Sequence, residues 1–293
     1  MLDVIRSRVA HGVQPALLYI HGGGFAICSK ETHEIITSNY AAMGFTVFSI
    51  EYRLAPEDPY PAAFHDSCDA LLWVLKHAAD YGGDVSRLVV AGESAGGNLA
   101  LGVTLASCWR DPNDAHAGAV YDANPSIRAV MPACGLLHVT GIGRQWRDKP
   151  QNFIGKYIWR GLERTYLPSL IHFQTPPIWA DPLVILETRR LTRPVPPTFV
   201  LCGSWDPLHV DSERLSKTLD RLGVDHEYLC EKGAVHAYHA LVWTASARRA
   251  WERKRRFLAE RIPGIQARPT IAEKASAYAS SPGLGASTIA STP

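Results

Sequence analysis

No stretch of this 293-residue sequence approaches the roughly 18 consecutive apolar residues of a bilayer-spanning helix, so no membrane span is expected. A charge of one sign is missing as well. Thirty Lys and Arg stand against 28 Asp and Glu, a formal +2 that sets up no field to steer nucleic acid or an acidic membrane, and neither is expected as a partner. Residues 1–12 mix Asp3, Arg6, Arg8 and His11 and lack the apolar stretch of a secretory signal. The six cysteines (Cys28, Cys68, Cys108, Cys134, Cys202, Cys230) form no CxxC pair, and several sit in apolar runs where a free thiol behaves as a small hydrophobe. Scattered thiols of this kind imply a reducing, cytoplasmic setting. The sequence also contains neither GxxxxGK[ST] nor GxGxxG, the glycine patterns that cradle nucleotide phosphates.

What is present is an ordinary globular composition, 46% apolar and 20% charged, long enough for one large α/β domain. Apolar, β-rich runs alternate with helix-compatible segments, the pattern of a mostly parallel sheet with helices on both faces. Strands are expected over 16–20, 46–51, 88–91, 127–132, 198–202 and 226–230. The runs LVVA and TFVL are apolar on both sides, as buried parallel strands must be. Helices are expected over 31–43, 61–81, 95–108, 210–222 and 237–262. In 61–81, Ala70, Leu71, Val74, Leu75 and Ala78 fall on one stripe. Asp84 and Ser86 are expected to turn the chain before the next strand. Residues 141–193 break the alternation with Trp146, Phe153, Tyr157, Trp159, Tyr166, Phe173 and Trp179 among five prolines. This segment is too long for a simple connection and reads as an inserted cap on a domain spanning 1–262. Residues 263–293, rich in Ala, Ser, Thr and Pro, read as a disordered tail.

Two glycine-rich motifs each follow an apolar run. Gly92-Glu93-Ser94-Ala95-Gly96 has the GxSxG form directly after LVVA and before a helix-compatible segment. A sharp strand-to-helix turn needs small residues around its serine and lifts the hydroxyl above the sheet edge. The following helix points its N-terminal amides at any anion formed there. Alone, GxSxG is equally a plain Gly-rich turn. His21-Gly22-Gly23-Gly24 follows 16–20, and three consecutive glycines fit a place where backbone must approach something closely. In ester hydrolysis that something is the oxyanion of the tetrahedral intermediate. The competing readings are a flexible loop or a phosphate cradle. The two motifs together weigh heavily for the oxyanion reading.

With these motifs the chain resembles the hormone-sensitive-lipase-like carboxylesterases, the fold-3 group of the α/β hydrolases. The likeness runs from about residue 15 to 262 through HGGGF (21–25), EYRLAPEDPYPAA (51–63), GESAGGNLA (92–100), DPL (206–208) and GAVHAY (233–238). It implies an α/β-hydrolase fold with an inserted cap. It also implies Ser94 as nucleophile, with oxyanion donors on Gly23, Gly24 and Ala95. The family order, serine then acid then histidine, points to Asp206 after TFVLCG and to His236 in the loop after HEYLC. Asp211 is the rival acid, expected instead as a helix cap, and His239 the rival base, expected as a packed or solvent-facing residue. A metal set of His209, Asp211, His236 and His239 lacks the spacings of zinc sites and leaves Ser94 unexplained. His65 and His77 read as surface or partly packed groups. Glu93 departs from the family's usual residue and reads either as a brace for the elbow or as a solvated side chain.

The implied chemistry is acyl transfer through Ser94, with His236 as base and Asp206 holding its tautomer, and no metal or organic cofactor. A small-molecule ester is the expected partner, and a homodimer is left open. Phe25 and Trp205 are candidates to line the pocket or to be ordinary packing. Amide, formamide, lactone or thioester hydrolysis, and acyl transfer to another acceptor, share this triad. A non-catalytic ligand receptor shares the fold. Relatives carry longer segments before HGGG than the 20 residues found here. The resemblance therefore implies a covering drawn mainly from 141–193, or a chain shortened at its start.

Overall fold

In the computed structural model, residues 1–7, 12–141, 165–167 and 177–265 are described, and the account below is confined to them. Seven strands form one sheet in the order β1-β3-β2-β4-β5-β6-β7. They are β1 Leu2–Ile5, β2 Gln14–Ile20, β3 Thr46–Ile50, β4 Gly83–Glu93, β5 Ile127–Ala133, β6 Thr198–Gly203 and β7 His226–Glu231. All neighbours run parallel except β1, which pairs antiparallel with β3 (Leu2 opposite Ile50, Val4 opposite Phe48). Strand β1 is absent from the sequence expectation. Four residues carry too little periodicity to announce a strand, and this one exists through its pairing with β3.

The helices are α1 Glu34–Ala42, α2 Ala62–His77, α3 Ala95–Cys108, α4 Ala115–Ala123, α5 Pro182–Thr188, α6 His209–Leu222 and α7 Ala245–Ala259. Alternate residues of the strands face two separate cores. Leu18, Ile20, Val90 and Val200 pack with residues of α2, α3, α5 and α6, whereas Leu17, Tyr19, Val89 and Leu201 pack with residues of α1 and α7. Helix α3 is buried along its whole length, being sandwiched between the sheet and α2, α4 and α5.

Several expected boundaries shift, each for a local reason. The single helix expected over 237–262 becomes a short turn at Tyr238–Ala240 followed by α7, because the Thr244 side chain accepts from Ala247 N (3.2 Å) and starts the helix there. Helix α4 was not anticipated; the Asp114 carboxylate caps it by accepting from Ala117 N at 2.9 Å. Asp84 does accept from Ser86 N at 2.8 Å, but strand β4 already begins at Gly83 and contains both residues. Most of the expected cap, including Trp146, Phe153, Tyr157, Trp159 and Phe173, lies outside the described residues, as does the tail from 266 onward. Its described end belongs to the main body. Trp179 stacks on Phe64 (4.7 Å) and donates to Asp111, and Leu183, Ile185 and Leu186 of α5 join the core.

The order of the strands fixes where chemistry can occur. The chain leaves β2 toward β3 on one side and leaves β4 toward β5 on the other, so a crevice opens at their carboxyl ends.

Candidate active site

Both glycine motifs lie at that crevice. Ser94 stands between β4 and α3 with φ 56° and ψ −116°, a conformation an L-residue adopts only when its surroundings impose it. Its N–H donates to Ala133 O (2.8 Å) and its carbonyl accepts from Leu136 N (3.2 Å), tying the turn to the end of β5. A Cβ on Gly96 would fall 2.1 Å from the carbonyl oxygen of Ile20, so α3 can sit this close to β2 only with glycine there. The N–H of Ala95 is the first of the free amides at the α3 N-terminus. Across the crevice Gly23 and Gly24 have φ of +117° and +60°, and Gly23 O accepts from Ala26 N and Ile27 N. Next to them Phe25 is fully buried and stacks on Tyr166 at 3.8 Å.

Asp206 and His236 come from the loops after β6 and β7. His236 Nδ1 donates to Asp206 Oδ2 at 2.9 Å, and Asp206 Oδ1 accepts from Leu208 N at 2.8 Å. The carboxylate is almost entirely buried, while the imidazole keeps about a third of its side chain accessible. Burial pulls the His236 pKa down, but the Asp206 hydrogen bond and the charges of Asp206 and Glu93 outweigh it and raise the pKa above its ordinary value. The bond leaves Nε2 free, the nitrogen a base must present. Trp205, beside the acid, is largely exposed.

Backbone strain concentrates here. Of the six described non-glycine residues with positive φ, five (Phe25, Cys28, Ser94, Cys134 and Ala237) flank the glycine loop, the serine turn or His236. Among the described residues, the potential metal ligands that gather are Cys134, Asp206 and His236, within 4.8 Å of one another, rather than His209, Asp211, His236 and His239. In this cluster the imidazole and the carboxylate are already bonded to each other.

One expectation changes and two open alternatives are decided. Asp211 does not cap its own helix: it lies inside α6, fully buried, and Oδ2 accepts from Leu137 N and His138 N at 2.9 and 3.1 Å. This carboxylate thereby ties the loop after β5 to α6 through one buried and one partly buried amide. Glu93 is not solvated. It is buried beneath the elbow between His33 (3.8 Å) and His239 (3.5 Å). His239 is not solvent-facing but wholly buried, and burial pushes its pKa well down, keeping it neutral.

Sequence reasoning missed four residues around the site: His33, Tyr52, Cys134 and Lys254. Lys254 lies buried against the rings of Trp251 (4.3 Å) and Tyr40 (5.6 Å), and burial lowers its pKa to about 8. Tyr52, inside the EYRLAPEDPYPAA motif, donates to His21 O at 3.1 Å. The motif itself was the available signal for Tyr52; the other three sit in segments with no local pattern.

Comparison with known proteins speaks to the family and the fold. Residues 17–240 match the family described as alpha/beta hydrolase fold. Carboxylesterase NlhH of Mycobacterium tuberculosis is 33% identical over 239 residues, covering 80% of this chain and 70% of that protein. An acetyl esterase of Salmonella dublin is 31% identical over 228 residues, covering 77% of this chain and 65% of its own length. Among solved structures, esterase LipW of Mycobacterium marinum superposes with a TM-score of 0.70 at 28% identity, covering 89% of this chain and 81% of that one. An esterase of Pyrobaculum calidifontis gives 0.71 at 26% identity, covering 88% and 80%.

Proposed function

The chain belongs to the alpha/beta hydrolase fold family, in its hormone-sensitive-lipase-like group, and we propose that this carboxylesterase-type hydrolase cleaves short- to medium-chain acyl esters through Ser94, His236 and Asp206. The observation that carries the reading is the 2.9 Å bond from His236 to the buried Asp206, at the same sheet edge as the strained serine turn. His236 Nε2 takes the Ser94 proton as the hydroxyl attacks the acyl carbonyl, and Asp206 stabilises the imidazolium that results. The amides of Gly23, Gly24 and Ala95 receive the developing oxyanion, aided by the positive end of α3. His236 then protonates the departing alcohol, and water repeats the sequence on the acyl-enzyme to release the acid. A receptor on this fold has no use for an acid–imidazole pair, which favours turnover over simple binding.

Short acyl groups are proposed over long lipid chains, in keeping with the acetyl esterase among the relatives. The single sheet built by the described residues supports one hydrolase domain over 1–262, with a covering drawn from 141–193. The six free thiols support a reducing, cytoplasmic setting. A panel of p-nitrophenyl esters from acetate to palmitate tests the reading, with amide, lactone and thioester analogues alongside. Acetate to hexanoate should show the highest kcat/KM. Palmitate equal to butyrate with soluble monomer would overturn the size preference, and faster amide than ester turnover would overturn the substrate class.

A further inference from the structure

We propose that His33 is a positioning residue that aims the oxyanion loop, an inference that rests on the esterase reading above. His33 closes the short turn Glu31–His33 that leads into α1 and has no place in the triad, yet Gly22 N–H donates to its Nε2 at 3.2 Å. That bond requires Nε2 to be an acceptor, so the ring proton sits on Nδ1. The surroundings agree: Thr32 Oγ1 donates its own proton to Ser29 O (2.7 Å) and is left free to accept from His33 Nδ1 at 2.9 Å. The ring is buried and cannot swing away without stranding the Gly22 amide.

The consequence follows from the planarity of the peptide bond, which sets each C=O antiparallel to the next N–H. In the His21–Gly22 peptide, Tyr52 Oη donates to the His21 carbonyl (3.1 Å) while His33 holds the Gly22 N–H. In the Gly22–Gly23 peptide, His21 Nδ1 donates to the Gly22 carbonyl at 2.7 Å, and the Tyr52 hydroxyl, its one proton turned to His21 O, lies 3.4 Å from it. Burial lowers the His21 pKa to about 4, so it makes its bond as a neutral ring. Fixing those two planes fixes the direction of the Gly23 N–H, a proposed oxyanion donor. The loop also presses on the elbow, where a Cβ at Gly22 would come within 2.9 Å of Glu93 O and 3.3 Å of Ser94 Cβ. His33 thus sets the angle between the donors and the nucleophile without touching substrate.

The test compares His33→Phe, which keeps a ring but no acceptor, with His33→Gln, whose amide oxygen reaches the position of Nε2. Removing an oxyanion donor outright costs about 10²–10³ in kcat, so a mis-aimed one should cost roughly 10–100-fold. His33→Phe should lose this in kcat for p-nitrophenyl acetate with KM little changed, and should bind a trifluoromethyl ketone correspondingly more weakly. His33→Gln should recover most of both. Amide hydrogen exchange over 20–30, read by mass spectrometry, should quicken in the Phe variant and not in the Gln variant. This readout needs no turnover, so it judges the loop even where wild type fails to cleave esters, a failure that would count against the function alone. Wild-type kcat in His33→Phe, a Gln variant as poor as Phe, or unchanged exchange each overturns the proposal. If His33→Phe does not fold, His33→Asn supplies the contrast, because its shorter amide cannot reach Gly22.

Discussion

Strands β4 and β7 support the two halves of the proposed chemistry in opposite ways. β4 lies in the middle of the sheet, is paired on both sides, and is buried from Leu88 to Glu93. β7 closes the sheet, pairs with β6 alone, and has no fully buried residue. The serine turn after β4 is therefore held by backbone packing so close that glycine alone fits at 96. His236, after β7, is held chiefly by one hydrogen bond to a carboxylate that the neighbouring strand delivers. A nucleophile fixed by packing and a base fixed by a polar bond should respond differently to mutation.

The largest effect should come from the chemistry at the central strand. Ser94→Ala should lower kcat by about 10⁶ if the three residues act as a unit. Its melting temperature should stay close to wild type, since the hydroxyl carries none of the turn's packing. A serine-directed organophosphate should label wild type once and the variant not at all.

At the edge, Asp206→Asn should cut kcat by up to about 10⁴ through the wrong imidazole tautomer. Asp211→Asn should show the reverse balance. It weakens the acceptor for the Leu137 and His138 amides, costing about 1–3 kcal/mol of stability, and changes turnover far less. An Asp211→Asn enzyme more crippled in rate than Asp206→Asn would reverse the assignment of the acid.

Stability gives the cleanest contrast between the two strands. Gly96→Ala forces a methyl group against the Ile20 carbonyl and should cost about 2–3 kcal/mol or more. Cys230→Ala, on the exposed side of β7, should stay within about 0.5 kcal/mol of wild type. Equal melting shifts in calorimetry would erase the distinction drawn here.

The smallest effect concerns pH. Neighbouring negative charges favour the imidazolium of His236, whereas the neutral ring is the working base. Activity should therefore be lost as pH falls through a midpoint above the ordinary histidine value of about 6.5. Glu93→Gln removes one of those charges and should move the midpoint down, measured as the acid limb of kcat/KM. An unmoved limb would mean that Glu93 does not reach His236 electrostatically.

Legibility in the sequence followed the same division. The elbow and the glycine loop were readable because a strand, a turn and a helix start are contiguous in the chain, and each has a chemical reason for its small residues. The six parallel strands were readable from apolar runs within a residue or two, apart from β4, which starts five residues earlier at Gly83. Asp206 and His236 rest on a family resemblance and on their places after TFVLCG and HEYLC, while the local ground for setting Asp211 aside, a helix cap, does not hold in the structure. Strand β1 and helix α4 were not readable, one because its stability lies in a partner strand, the other because its Ala-rich segment carries only a weak stripe.

By itself the sequence determined the fold class, the two glycine turns and the chemical type of the groups on offer, because these depend on short-range periodicity and on conformations only small residues adopt. The tertiary structure decided which carboxylate bonds the imidazole, that Asp211 serves a distant loop, and that Glu93 lies buried between two histidines. It also brought His33 to the amide of Gly22, eleven residues away. Hydrogen bonds and desolvation act through space at about 3 Å, and the sheet's crossovers bring distant segments to that range without leaving a trace in local sequence.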